Sequence, residues 1–234
     1  MTNALIITDI DCANQFNYLW RGLNEFTSFK TRYICLQKTY LDYETDILPK
    51  DGMEQEISDV IDTSDFFIFG RSLYDFPFHP FGDRLNKRNH LVWVLGSEAR
   101  LFAPKFLYEW LRNNLMIVSN IDYTCSSPIG FSAQHIPIMI NPLDIPQKEP
   151  FPDGIIRISH TPTSRQIKQT DLFLQVIDDL KRKYPVEPIL IEGKPWRECL
   201  QYKRRAEICY DQMAIGSYGF GALESWLMSQ AVVG

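Results

Sequence analysis

Short hydrophobic runs alternate with longer amphipathic stretches along most of the chain, which is the pattern of repeated βα units. The apolar run 4–8, bounded by Asp9 and Asp11, predicts a strand, and 14–26 predicts a helix because its large apolar residues recur at helical spacing. The same reasoning predicts strands at 31–36, 65–70, 90–96 and 115–119 and helices at 53–61 and 103–112. The first half therefore predicts a doubly wound parallel sheet.

A proline-rich segment at 140–153 interrupts this pattern and predicts an interdomain linker. After it the alternation begins again, with strands predicted at 154–159, 187–191, 207–210 and 231–234 and helices at 164–184, 196–205 and 219–229. We therefore predict an α/β protein with two Rossmann-like parallel-sheet domains, 1–150 and 151–234. A complete second domain of this kind needs further strands, so the sequence predicts a truncated one, with an open sheet edge that a second copy in a homodimer could cover.

Composition narrows the class of protein. Hydrophobic residues make up 45% and aromatic residues 13% of the 234 residues, which is typical of a globular chain. The net charge of −5 argues against a nucleic-acid partner, because the one basic cluster, 181–183, falls at a predicted helix end. The five cysteines are scattered without metal-site or redox spacing, and no signal peptide or membrane span is recognisable, so a cytoplasmic protein is predicted.

Polar residues that could bind a ligand follow the first predicted strand of the second half. Ser164 is placed to cap the helix predicted there, and Arg165 and Lys168 fall three apart on one face of its first turn. Cations at a helix N-terminus oppose the helix dipole, so an anionic ligand bound by both heads and the helix amides would explain them. Two solvated surface cations are the alternative.

The last predicted helix begins after a glycine-containing turn, Tyr218–Gly221. Such glycines allow a phosphate to approach the backbone amides, although many loops use glycines only to turn. Glu224, predicted on the first turn of this helix, could hold a ribose diol, or it could simply complement the helix dipole. All these residues follow strands at their carboxyl ends, where open α/β sheets bind ligands.

Three stretches carry a resemblance to a known family: Ile156–Thr170, Ala206–Gln212 and Ser217–Trp226. Together they resemble the donor-binding domain of group 1 glycosyltransferases, the family 4-like retaining enzymes of the GT-B architecture. In the first half, 11–25 and 96–100 resemble, more loosely, acceptor-domain segments of that group.

The resemblance implies a role for each matched residue. Arg165 and Lys168 would neutralise the diphosphate of a nucleoside-diphosphate sugar, and Gly219, Phe220 and Gly221 would offer backbone amides to the phosphates and the sugar. Glu224 would bind the ribose. Transfer would be retaining and independent of a metal or cofactor, with a glycan, lipid or protein as acceptor.

The sequence also departs from the family pattern. The earlier acid of the family's paired-glutamate motif falls at Gly216, so its sugar contact would be missing or supplied by Asp211. The glycine-rich turn common after the first strand is absent. His135 could contact the transferred sugar, and Asp9 and Asp11 could act on the acceptor or cap their loop.

Two other classes of protein stay open at this point. One is a degenerate transferase fold that binds a nucleotide, or assembles with a partner, without turnover. The other is a nucleotide-sugar epimerase of the same architecture.

Overall fold

The chain folds into two compact units, 1–39 with 43–139 and 40–42 with 140–234. The structure, a computed structural model, describes residues 2–70, 90–94, 115–118, 133–149, 151–214 and 218–234. Over these ranges every helix is too short or too polar to cross a lipid bilayer. The helix predicted at 103–112 and the segment 96–100 lie outside the described residues.

The first unit is built on a parallel sheet flanked by helices. Its elements are β1 (Asn3–Thr8), α1 (Gln15–Phe26), β2 (Lys30–Cys35), α2 (Glu54–Thr63), β3 (Phe66–Phe69), β4 (His90–Val94), β5 (Leu115–Val118) and β6 (Ala133–His135). Within the described ranges the sheet has six strands in the order β2-β1-β3-β4-β5-β6. The short strand β6 was not predicted from the sequence, because a stretch of three residues carries too little periodicity.

Both faces of this sheet are covered, as the unbroken apolar strands predict. Leu5 and Ile7 of β1 pack with Ile57 and Ile61 of α2, whereas Ile6 packs on the other face with Phe16 of α1. Successive side chains of a strand point to opposite faces, so an apolar residue at every position requires two helical layers. The hydrophobic pattern therefore determines the doubly wound arrangement.

The side chain of Asp11 holds the start of α1 in place. Its carboxylate accepts the backbone amides of Phe16 (3.3 Å) and Asn17 (3.0 Å) and the hydroxyl of Tyr33 (3.3 Å). Asp11 thus caps its loop and helix, the second of the two roles considered for it. Burial raises the pKa of Asp11 to about 6, although these hydrogen bonds oppose the shift.

This raised pKa predicts a pH-dependent stability. Because the folded pKa lies above the unfolded value, the contribution of Asp11 is complete below about pH 4 and is lost as the pH rises through 6. We expect the free energy of unfolding of the first unit to lose about 3 kcal/mol over this interval. The Asp11→Asn variant should lack that component in urea titrations at pH 4 and pH 7. The exposed Asp51→Asn variant is the control, and an unchanged pH slope in Asp11→Asn would contradict the prediction.

The second unit repeats the same architecture. Its elements are a 3-10 turn (Pro142–Asp144), β7 (Ile156–His160), α3 (Thr170–Lys181), β8 (Val186–Leu190), α4 (Trp196–Lys203), β9 (Ile208–Tyr210), α5 (Phe220–Leu227) and β10 (Ala231–Val233). In the described part of this unit the sheet has four parallel strands in the order β8-β7-β9-β10. The strand order reverses between β7 and β9, and ligands of open α/β sheets bind outside the carboxyl ends of the strands at such a point.

Helix α3 begins later than predicted, at Thr170 instead of Ser164. Gln169 adopts a left-handed backbone conformation with φ of 51°, which a continuous helix does not allow. The residues before it form a tight turn, in which the Lys168 amide donates to Ser164 and the Thr170 amide to Arg165. Arg165 and Lys168 therefore lie in a turn between β7 and α3, and the prediction that they share the first turn of a helix is wrong.

Candidate anion-binding site

A close ion pair lies where the strand order of the second sheet reverses. Lys168 comes from the turn after β7, and Asp211 is the first residue after β9. Lys168 Nζ lies 2.6 Å from Asp211 Oδ1, and the two side chains are only 16% and 6% exposed. Burial makes this pair less screened by solvent than a surface ion pair.

The start of α5 joins the same cluster. The backbone amide of Gly219, the residue before α5, donates to Asp211 Oδ2 at 2.7 Å. A Cβ atom at position 219 would lie 3.0 Å from Asp211 Oδ2 and 3.2 Å from Lys168 Nζ. Because φ of Gly219 is −92°, the backbone does not require glycine here, but a Cβ atom would crowd the ends of both side chains. Lys168, Asp211 and Gly219 are hereafter called the switch-point cluster.

A second ion pair, which is buried, also involves α5. Lys203 Nζ lies 2.8 Å from Glu224 Oε2, and Trp196 Nε1 donates to Glu224 Oε1 at 2.7 Å. Lys203 also donates to the carbonyl of Gly221. Burial alone would lower the pKa of Lys203, but the charge and the hydrogen bond of Glu224, together with Cys209 and Cys199, raise the pKa above the ordinary value. Lys203, Glu224 and Trp196 therefore fix the first two turns of α5 to α4.

The glycine at position 221 connects the two ion pairs. A Cβ atom there would lie 3.5 Å from Lys203 Nζ and 3.8 Å from Asp211 Oδ1. The glycine-containing turn predicted from the sequence thus brings the backbone close to both pairs.

Glu224 is not placed as predicted. It lies in the second turn of α5, is 4% exposed, and both carboxylate oxygens are engaged by Trp196 and Lys203. Sequence reasoning missed Lys203 and Trp196, because one lysine and one tryptophan in an amphipathic helix give no sign that they meet a carboxylate from another helix. In this arrangement Glu224 holds α4 and α5 together and presents no open carboxylate for a diol.

Arg165 forms its ion pair with a different carboxylate from the one that Lys168 contacts. Its guanidinium makes two hydrogen bonds to Glu192, at 2.8 and 2.6 Å, and the side chain is 54% exposed. This contact raises the pKa of Arg165 and lowers the pKa of Glu192. The two cations expected to bind one anion are instead bound to two different carboxylates.

Phe220 is the first residue of α5 and is buried. The predicted site residues still to be placed lie in the first unit or outside the described ranges. His135 is the last residue of the edge strand β6, where it pairs in register with Val118 and is partly buried. Gly216 lies outside the described residues. Among the residues that the structure describes, no three or more His, Cys, Asp or Glu side chains are grouped in a way that could hold a metal ion.

The switch-point cluster has the chemical groups that bind a phosphate. The lysine ammonium carries three donors, of which Asp211 Oδ1 takes one, so it can also donate to a phosphate oxygen. The amides at the start of α5 add the positive end of the helix dipole. The Lys168 ammonium and the Gly219 amide both contact the Asp211 carboxylate, so the two donors are already arranged next to one anionic group.

Comparison with known proteins supports the fold class. No protein-family model matches the sequence, and no curated protein does either. The chain is similar to a solved structure described as the glycotransferase of kitacinnamycin, with a TM-score of 0.52 and 9% sequence identity over 99% of this chain and 79% of that chain. The predicted fold class, α/β with two Rossmann-like parallel-sheet units of the GT-B kind, is thereby confirmed.

Proposed function

We propose that this chain is a glycosyltransferase that transfers a sugar from a nucleoside-diphosphate sugar to an acceptor. The observation that carries the proposal is the switch-point cluster: a partly buried lysine, a helix-start amide and a buried carboxylate that aligns them, at the carboxyl ends of β7 and β9. The fold it shares with a glycosyltransferase supports the same function.

The proposed mechanism is electrostatic. Lys168 and the amides of Phe220 and Gly221 would stabilise the negative charge that develops on the diphosphate as it leaves the sugar, and the Gly219 amide would join them by leaving Asp211. Arg165 would contribute a second cation if the donor draws it from Glu192, because its side chain is exposed and therefore open to a ligand. The enzyme would work without a metal ion, as the sequence resemblance implies.

The finer assignment follows the sequence resemblance. We propose a family 4-like, retaining enzyme in which residues 151–234 bind the donor and residues 1–150 the acceptor, a glycan, lipid or protein. Asp211 would contact the transferred sugar in place of the acid that the family has at position 216, and His135 would contact it from the acceptor side. Glu224 would reach the ribose only by leaving Lys203 or Trp196.

The proposal is tested by donor turnover. Uridine-, guanosine-, adenosine- and thymidine-diphosphate glucose are incubated with the full chain in EDTA, and release of nucleoside diphosphate is measured with water, oligosaccharides, a polyprenyl phosphate or a peptide as acceptor. We expect release from one donor, faster with one acceptor and with retained anomeric configuration by NMR. Absence of both binding and release for every donor would contradict the proposal.

A binding module without turnover is the second candidate, and the geometry of Glu224 favours it. A carboxylate that is buried in an ion pair and a tryptophan hydrogen bond is costly to free for a ribose. In the same assay this candidate predicts calorimetric binding of a nucleoside diphosphate without release from any donor. An epimerase would instead release nucleoside diphosphate without an acceptor and yield a free sugar inverted at one carbon.

A further inference from the structure

His160 is a fully buried histidine that the proposed mechanism does not use. It is the last residue of β7, and each of its ring nitrogens has a partner on a different element. Nδ1 lies 3.1 Å from the carbonyl oxygen of Tyr210, the last residue of β9. Nε2 lies 2.9 Å from Oγ1 of Thr170, the first residue of α3.

These partners determine the tautomer. A carbonyl oxygen can only accept a hydrogen bond, so Nδ1 must carry the proton. In the neutral ring Nε2 is then an acceptor, and the hydroxyl of Thr170 must donate to it. Burial lowers the pKa of His160, and Lys168 acts in the same direction, whereas the Tyr210 carbonyl, Asp211 and Glu192 oppose the shift. The neutral, Nδ1-protonated ring fits this environment.

The two partners stand next to the residues of the switch-point cluster. Thr170 follows Lys168 by two residues in the chain, and Tyr210 directly precedes Asp211. The His160 ring also lies against Phe173 of α3 and the ring of Tyr210, with centroid distances of 4.8 and 5.0 Å. The His160 ring therefore lies between the turn that carries Lys168 and the strand end that carries Asp211, and its size contributes to the distance between them.

We infer that His160 is a positioning residue for anion binding: through the Thr170 hydroxyl and the Tyr210 carbonyl it sets the separation of Lys168 and Asp211, and thereby the geometry offered to a diphosphate. This inference rests on the proposed function. His160 has this positioning role without contacting the ligand.

The test pairs two substitutions at Thr170 with one spectrum. Binding of uridine, guanosine, adenosine and thymidine diphosphate to the full chain is measured by calorimetry for wild type, Thr170→Val and Thr170→Ser. Valine keeps the shape and removes the hydroxyl, and serine keeps the hydroxyl. We expect Thr170→Val to weaken binding about fivefold, the effect of one hydrogen bond, and Thr170→Ser to stay within about twofold of wild type. The ¹⁵N spectrum of labelled wild-type histidines should show one neutral, Nδ1-protonated ring.

The possible outcomes distinguish the proposed function from the positioning role of His160. If wild type binds none of the four nucleoside diphosphates, the proposed function is contradicted. If wild type binds but Thr170→Val binds equally well, or Thr170→Ser binds as weakly as Thr170→Val, the positioning role is overturned while the function stands. A cationic or Nε2-protonated His160 in the wild-type spectrum would overturn it without any variant.

Discussion

Replacing Lys168 by methionine is expected to weaken binding of nucleoside diphosphates about 10- to 100-fold. The lysine supplies the charge-assisted hydrogen bond of the site, worth about 1.5–3 kcal/mol, and methionine keeps the length of the side chain without its charge. Calorimetric titration of the full chain with uridine, guanosine, adenosine and thymidine diphosphate measures the effect. Affinity should also fall with added salt more steeply in wild type than in the variant.

Two controls make this result specific. Lys181→Met removes an exposed lysine at the other end of α3 and should leave binding unchanged. Because Lys168→Met leaves Asp211 without its cation, the double variant Lys168→Met with Asp211→Asn shows whether a loss of binding follows from the missing lysine or from an unpaired buried carboxylate. Wild-type affinity in Lys168→Met would exclude this lysine from the donor site.

Replacing Lys203 by methionine is expected to destabilise the second unit by about 3–5 kcal/mol. Its side chain is fully buried, and its removal leaves the Glu224 carboxylate buried without a cation. The free energy of unfolding from urea titration measures the loss. We expect binding of nucleoside diphosphates to weaken as well, because Lys203 holds the carbonyl of Gly221 in the first turn of α5.

The matched control removes both charges. In the double variant Lys203→Met with Glu224→Gln, the glutamine oxygen can still accept from Trp196, and no buried charge remains. We expect this variant to recover most of the lost stability, since a neutral pair avoids the cost of an isolated buried ion. A double variant as unstable as Lys203→Met would show that the lysine acts through packing and not through charge.

The order of strands and helices could be predicted from the sequence because burial on two faces leaves a direct hydrophobic signal. Runs such as 66–69 are apolar at every position, and the first sheet is covered on both faces as this pattern requires. The start of α3 could not be predicted. Residues 164–169 have helical composition, and only the left-handed conformation of Gln169 separates them from the helix.

The site was predicted in part, for a similar reason. Position in the chain indicated which residues follow strands at the sheet's carboxyl edge, and Lys168, Asp211 and Gly219 do meet there. Ion pairs between side chains of different elements leave no periodic pattern in the sequence. The ion pairs of Arg165 with Glu192 and of Lys203 with Glu224 therefore became visible only in three dimensions, and they change the roles that Arg165 and Glu224 can have.

Binding of a donor diphosphate by the switch-point cluster can be observed in a crystal structure of the full chain with the tightest-binding nucleoside diphosphate. We expect phosphate oxygens within hydrogen-bond distance of Lys168 Nζ and of the amides at the start of α5. A diphosphate bound elsewhere, with Lys168 still directed only at Asp211, would contradict it.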